Sequence, residues 1–157
     1  MLRSRRHFGW ALWAGLWVVA LTGCADPYAK AMEARAAGDL AQAVGWLERV
    51  PTTHGSYAET HALLPALRFQ AGRAAFEEER WRDAIALLRK VKPQQAEHEE
   101  AQDLIGCAFF HLGEEAFELG DYEAAVRLAS TVRTSCSHAE QARVLMVRAQ
   151  ERMEAGS

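Results

Sequence analysis

GDYEAAVRLASTV, residues 120–132, is the third of three similar segments that decide the fold of this chain. The other two are GDLAQAVGWLERV, residues 38–50, and ERWRDAIALLRKV, residues 79–91. They begin 41 residues apart and align without a gap. Their shared columns hold small or branched apolar residues: Ala43, Ala84 and Ala125; Val44, Ile85 and Val126; Val50, Val91 and Val132. Because two gapless steps over so many columns are hard to obtain by chance, the sequence predicts an internal repeat.

The composition of the repeats is typical of helices. Ala, Leu, Glu, Arg and Gln dominate, β-branched residues are sparse, and no segment alternates as a half-buried strand would. The repeated columns extend upstream and pair Gly72 with Gly113, Phe69 with Phe110 and Phe76 with Phe117. The sequence therefore predicts an all-α fold.

The segment GDYEAAV resembles the inter-helix turn and second helix of a tetratricopeptide repeat. The matching features are a small residue in the first helix, an aromatic after the turn, an alanine in the second helix and a proline after it: Gly72 and Gly113, Trp81 and Tyr122, Ala84 and Ala125, Pro51 and Pro93. Arg68 departs from the family, which prefers a large aromatic at that position. The resemblance implies a right-handed solenoid of antiparallel helix pairs over residues 27–154, with about three repeats and a closing helix.

The period of 41 residues exceeds the family period of about 34 by two helical turns. We expect the first helix of each repeat to be correspondingly longer. Ser56 with Glu59, and Ser137 with Glu140, have the spacing of capping boxes and predict where two of these helices begin. Pro65 and Gly106 occupy one column inside the long helices, and we predict a bend there.

The N-terminal residues have the layout of a secretory signal. Arg3, Arg5 and Arg6 precede an uncharged run over 8–25, whose most apolar part covers 10–21. That part is shorter than the run of about 20 residues that a spanning helix needs. An uncleaved anchor helix is the alternative. In both cases the arginines stay on the cytoplasmic side, and the rest of the chain is expected outside the cytoplasm.

Leu21-Thr22-Gly23-Cys24 resembles the lipobox of bacterial lipoproteins. The resemblance implies that residues 1–23 are a cleaved signal peptide and that Cys24 carries a diacylglycerol and an amide-linked acyl chain such as palmitate. Residues 24–26 would form a short tether before the repeat domain at 27–154. Ala25, not an aspartate, follows the cysteine, and the resemblance therefore favours the periplasmic face of the outer membrane over the inner membrane.

The charge of the chain argues against nucleic acid as a partner. Loss of residues 1–23 removes three arginines and no acid, which leaves 15 basic and 21 acidic residues and a net charge of −6. Proteins that bind nucleic acid carry clustered positive charge on one face. We expect protein partners in the cell envelope and a membrane contact through the lipid.

No catalytic or metal-binding motif stands out in the sequence. GxSxG, HExxH and CxxC are absent, and the histidines are scattered. The repeat register places Cys136 level with Gln95, twelve residues before Cys107, or about 18 Å along a helix. A disulfide needs Cα atoms within about 7 Å. The sequence therefore predicts no disulfide, no metal, no cofactor except the lipid on Cys24, and no enzymatic activity.

The resemblance to tetratricopeptide repeats implies a partner-binding groove lined by first-helix residues. Its members would be Tyr28, Met32, Arg35, Phe69, Arg73, Phe76, Glu77, Phe110, Glu114, Phe117 and Glu118. Apolar anchors beside charged residues suit the capture of a partner helix. The sequence favours a lipid-anchored adaptor that serves an assembly, secretion, pilus or motility machine of the envelope. The alternatives are a small enzyme or an enzyme accessory subunit, and a self-associating structural lipoprotein.

Overall fold

The computed structural model describes residues 26–156 and confirms the all-α expectation over that range. It contains seven α-helices and no strand in the described residues. The helices are α1 (Pro27–Ala36), α2 (Leu40–Leu47), α3 (Tyr57–Glu77), α4 (Trp81–Leu88), α5 (His98–Glu118), α6 (Tyr122–Ala129) and α7 (Ala139–Ala155). None of them is both long and apolar enough to span a membrane. The signal segment and Cys24 lie outside the described residues.

The helix boundaries recur at the period read from the sequence. The short helices α2, α4 and α6 begin at Leu40, Trp81 and Tyr122 and contain eight residues each. The long helices α3 and α5 contain 21 residues each, and α7 contains 17. At 1.5 Å per residue, a long helix of 21 residues extends about 31 Å and a short one about 12 Å. The expected lengthening of the first helices is present in α3 and α5, whereas α1 contains only ten residues.

The turns before the short helices show why the sequence begins those segments with Gly-Asp. Gly38 and Gly120 have φ angles of 82° and 80°, in the left-handed region that glycine adopts without a Cβ clash. The carboxylates of Asp39 and Asp121 then cap α2 and α6 by accepting backbone N–H bonds from Gln42 and Ala124 at 2.9 Å. The middle repeat has Glu79 in the glycine column, and Glu79 also has a positive φ, of 59°.

The two capping boxes predicted for the long helices are wrong. Ser56 is the N-cap of α3, but its side chain makes no capping hydrogen bond. The N-cap of α7 is His138, one residue after Ser137. The backbone explains both results, because Ser56 and His138 have ψ angles of 14° and 13°. A capping side chain reaches the helix N–H groups from an extended N-cap conformation instead.

The core follows the chain in three successive clusters. The first lies between α1, α2 and α3, the second between α3, α4 and α5, and the third between α5, α6 and α7. Gly72 shows how closely the helices approach, since a Cβ added there would lie 2.6 Å from Cγ of the fully buried Leu88.

Helices α3 and α5 continue through Pro65 and Gly106. The bend expected at those positions stays a prediction.

Candidate functional site

Cys107 and Cys136 are joined by a disulfide, with Cα atoms 5.8 Å apart. The prediction that these cysteines cannot pair is wrong. It assumed that successive long helices start level with one another. Helix α6 has only eight residues, so the chain returns only part of the way along α5 before the loop 130–138 begins.

The loop 130–138 packs against the middle of α5. A Cβ added at Gly106 would lie 3.3 Å from the backbone nitrogen of Arg133 and 3.7 Å from Cβ of Cys136. The hydroxyl of Ser135 donates to the carboxylate of Asp103, one turn earlier on α5. Glycine at position 106 therefore gives the loop its close approach, and α7 begins beside the middle of α5.

His138 joins the two cysteines in one cluster. Cys107 Sγ, Cys136 Sγ and a ring nitrogen of His138 all lie within 4.8 Å of one another. The backbone N–H of His138 donates to Cys136 Sγ at 3.3 Å. Ser137 Oγ lies 3.1 Å from His138 Nδ1 and 3.9 Å from Cys107 Sγ. The sequence predicted scattered surface histidines, and only the axial offset of α7 brings His138 to Cys107.

A row of aromatic rings runs from α3 to the start of α7. Phe76 meets Trp81 edge-on at 5.0 Å between centroids, and Trp81 stacks on His111 at 4.3 Å. His111 meets His138 at 5.1 Å, and His138 stacks on Phe110 at 4.9 Å. The repeat could have indicated the Phe76–Trp81 pair, because Phe117 and Tyr122 form the equivalent contact at 5.3 Å. His111 and His138 have no equivalent histidines one period earlier in the repeat.

Two of the aromatic anchors predicted for the groove belong to the core. Phe69 and Phe110 are only 8% and 4% exposed, and each is a member of a buried cluster. Phe76 and Phe117 are half-buried and pack against Trp81 and Tyr122. A docked partner therefore meets at most the parts of Phe76 and Phe117 that remain exposed.

The remaining predicted groove residues are spread over the surface of the first helices. Tyr28 and Met32 pack half-buried against the first cluster, whereas Arg35 is exposed. Arg73 and Glu77 are exposed and form an ion pair at 3.0 Å. Glu114 and Glu118 are exposed near the end of α5. Of the eleven predicted groove residues, Phe110 and Glu114 line one common groove.

An open groove does lie between α5 and α7. Its volume is about 460 Å³, and its lining consists of Phe110, Glu114, Glu140, Gln141, Val144, Leu145 and Arg148. Val144 is 51% exposed, while the guanidinium of Arg148 lies 4.8 Å from the centroid of the Phe117 ring. Only Phe110 and Glu114 were predicted for this site. The resemblance to tetratricopeptide repeats places the groove on first helices only and therefore gives no indication of the residues of α7.

The carboxylate of Glu48, the C-cap residue of α2, bridges Arg68 on α3 and Lys90 in the turn after α4. Lys90 Nζ donates to it at 2.7 and 2.9 Å, and Arg68 donates through Nε at 3.2 Å and Nη2 at 3.1 Å. Partial burial by itself raises the pKa of Glu48, but the hydrogen bonds and charges of Lys90 and Arg68 outweigh it and hold that pKa below its ordinary value. Arg68, at which the sequence departs from the tetratricopeptide pattern that it resembles, thus has a charged partner in Glu48.

Comparisons of the chain with protein-family models, with curated proteins and with solved structures find no match.

Proposed function

We propose that this chain is a lipid-anchored adaptor outside the cytoplasm, and that it binds a partner protein in the groove between α5 and α7. It would form a right-handed solenoid of antiparallel helix pairs and hold its partner by shape and charge, without catalysis. The observation that carries the proposal is the groove itself, which combines an exposed valine with charged residues at its rim.

The chemistry of the groove suits an amphipathic partner helix. Val144 offers apolar contact, and the buried side chains of Leu145 and Phe110 form part of the floor. Glu114, Glu140 and Arg148 place charges of both signs around this apolar centre. Recognition of a helix in a groove uses apolar anchors in the middle and polar contacts at the rim. The partner would therefore present apolar residues at helical spacing with basic and acidic flanks.

The disulfide supports a location outside the cytoplasm. Structural disulfides persist in oxidising compartments and are rare where thiols are kept reduced. The Cys107–Cys136 bond is a second argument for that location, independent of the arginines and the apolar segment near the N-terminus. With the lipobox-like Leu21 to Cys24, it favours the periplasmic face of the outer membrane and a role in an envelope assembly, secretion, pilus or motility machine.

The groove is tested by site-specific photo-crosslinking in intact cells. A crosslinker at Gln141 is expected to capture one dominant partner, and Val144→Asp is expected to abolish that product. Leu119→Asp is the matched control, because Leu119 is 85% exposed and lies outside the groove lining. If Val144→Asp and Leu119→Asp crosslink equally well, the partner does not bind in this groove.

Self-association is a second candidate function, because the closing helix has an exposed apolar face. Val144 and Val147 lie about one turn apart on α7 and are 51% and 53% exposed. Sedimentation velocity of the chain over a hundredfold concentration range tests this function. A dimer that Val147→Asp dissociates would support it, whereas a monomer at all concentrations would exclude it.

A further inference from the structure

We propose that Cys107, Cys136 and His138 bind a thiophilic d¹⁰ cation, Zn²⁺ or Cu⁺, when the Cys107–Cys136 disulfide is reduced. The disulfide and the metal complex would be alternative states of one site. The inference does not depend on the groove between α5 and α7.

The preceding repeat shows that the fold does not require these three residues. One period earlier, the equivalent positions hold Ala66, Gln95 and Glu97. The loop before α5 nevertheless has the same two backbone hydrogen bonds as the loop before α7. Gln95 N–H donates to Lys92 O at 3.0 Å and His98 N–H to Gln95 O at 3.2 Å.

The corresponding bonds before α7 run from Cys136 N–H to Arg133 O at 3.1 Å and from Ala139 N–H to Cys136 O at 3.0 Å. The loop conformation is therefore set by its backbone. The two thiols and the imidazole come together at the junction of α5 with the loop before α7. The loop before α5 has the same two backbone hydrogen bonds without them.

The donor set fits a soft cation. The two sulfurs and the imidazole nitrogen lie within 4.8 Å of one another, and the Cα separation of 5.8 Å leaves the sulfurs free to move apart by rotation about χ1 once the bond between them is broken. Thiolate and imidazole ligands select Zn²⁺ and Cu⁺ over oxygen-seeking cations. Three protein ligands complete a trigonal Cu⁺ site, or leave one position for water on tetrahedral Zn²⁺.

The surroundings hold the ligands in position. Ser137 Oγ lies 3.1 Å from Nδ1 of His138 and 3.9 Å from Cys107 Sγ, so this hydroxyl is placed beside the donor set and can orient the imidazole. The stack on Phe110, with the ring planes 14° apart, fixes the imidazole orientation. Cys107 and Cys136 are 7% and 4% exposed, whereas His138 is partly exposed, so the imidazole side is the route of entry.

The exchange between the two states is a balanced reaction. A dithiol reductant attacks one sulfur of the disulfide, and its second thiol then closes its own disulfide. This transfers two electrons and leaves Cys107 and Cys136 as thiols. Binding of the cation to both sulfurs releases two protons to solvent. In the reverse direction the oxidised form of that dithiol, itself a disulfide, accepts the two electrons and two protons while the Cys107–Cys136 bond re-forms. The cation then leaves, because disulfide sulfurs carry no thiolate charge with which to hold it.

The test uses the full chain in detergent with Cys24→Ser, so that Cys107 and Cys136 are the only cysteines. The protein is reduced, freed of reductant under nitrogen and titrated with Co²⁺ as a spectroscopic probe, then with Zn²⁺, and with Cu⁺ against a chromogenic competitor. We expect one cation per reduced chain, thiolate-to-cobalt charge-transfer absorption, and none in the oxidised chain. The titrations with Zn²⁺ and Cu⁺ decide which cation binds more tightly.

Variants in the same background separate this site from adventitious binding. Cys107→Ser is expected to abolish binding, and His138→Ala to weaken it at least tenfold. His111→Ala is the matched control, because its ring lies 5.1 Å from that of His138 but outside the donor set. Circular dichroism confirms that each variant is helical. Equal metal binding by reduced Cys107→Ser, or equal affinities of His138→Ala and His111→Ala, would overturn the proposal.

Discussion

Cys107, in the middle of α5, and Cys136, in the loop before α7, have their Cα atoms 5.8 Å apart and are joined by a disulfide. This bond fixes the start of α7 beside the centre of α5. The groove lined by Phe110 and Val144 lies between those two helices. The offset between successive long helices thus creates both the cysteine–histidine cluster and the candidate binding surface.

Loss of the disulfide is expected to destabilise the fold. The bond closes a sequence separation of 29 residues, and the chain-entropy argument gives a cost of about 3.6 kcal/mol for its loss. Urea unfolding of the double variant Cys107→Ser/Cys136→Ser, in the Cys24→Ser background, measures it. An unchanged midpoint relative to the oxidised background would show that the loop is held by its other contacts alone.

Glu79→Gly is expected to stabilise the protein by about 0.5–1 kcal/mol, because Glu79 has a left-handed backbone that costs a non-glycine residue about 1–2 kcal/mol. Glycine occupies the equivalent positions 38 and 120, with φ near 80°. Gly120→Ala is the reciprocal test and should destabilise by a similar amount. Thermal unfolding followed by circular dichroism measures both. A lower melting temperature for Glu79→Gly would contradict the strain argument.

Glu48→Gln is expected to lower the free energy of unfolding by about 1 kcal/mol at neutral pH, because Lys90 and Arg68 lose their shared partner. The folded-state pKa of Glu48 lies below its ordinary value of 4.5. The wild-type advantage should therefore be complete above that pH and disappear as the pH falls through the folded-state pKa.

Urea titrations of wild type and Glu48→Gln across the acid range measure this difference. Glu77→Gln is the control, since its ion pair with Arg73 lies on one exposed helix face and should matter by less than about 0.5 kcal/mol. A difference between wild type and Glu48→Gln that does not change with pH would rule out the ionised carboxylate as its source.

Phe110→Ala is expected to destabilise the fold by about 3–5 kcal/mol, because its buried ring packs in the third cluster and stacks on His138. Val144→Ala should change stability by less than about 0.5 kcal/mol, since half of that side chain is in solvent. Chemical denaturation of both variants provides the measurement. If both variants change stability by the same small amount, Phe110 would be an accessible anchor and not a core residue.

Cys24→Ser is expected to abolish acylation and, because cleavage follows acylation in the lipoproteins that this segment resembles, to leave residues 1–23 attached. The lipobox-like sequence predicts acylation of this cysteine, and two or more acyl chains give firm anchoring. Metabolic labelling with an alkyne fatty acid, followed by gel electrophoresis, measures the loss of the label and the greater length of the unprocessed chain. Cys107→Ser serves as the control and should keep the label and the length of the processed chain. Unlabelled wild-type protein in the membrane would favour the uncleaved anchor helix.

The sequence predicted several parts of the fold because they depend on local chemistry. The columns at Ala43, Ala84 and Ala125 gave the period of 41, and the starts of the short helices recur at that spacing. Gly38 and Gly120 marked two turns, and their positive φ angles explain why glycine is needed there. The capping boxes failed because side-chain spacing does not specify the backbone angles at Ser56.

The candidate site was less accessible to prediction from sequence. Phe69 and Phe110 share a column that is consistent with either a groove or a core, and only packing showed that both are buried. His111 and His138 became neighbours through the position of α7 beside α5. No spacing along the chain encodes that contact.

The sequence by itself determined the helices, their period and the resemblance at Cys24, because hydrophobic periodicity, turn residues and motifs act over a few residues. The tertiary structure alone decided that Cys107 pairs with Cys136. A helix of eight residues returns less than half the length of a helix of 21, so the next long helix starts level with the middle of its predecessor. That axial offset is a property of how the helices pack.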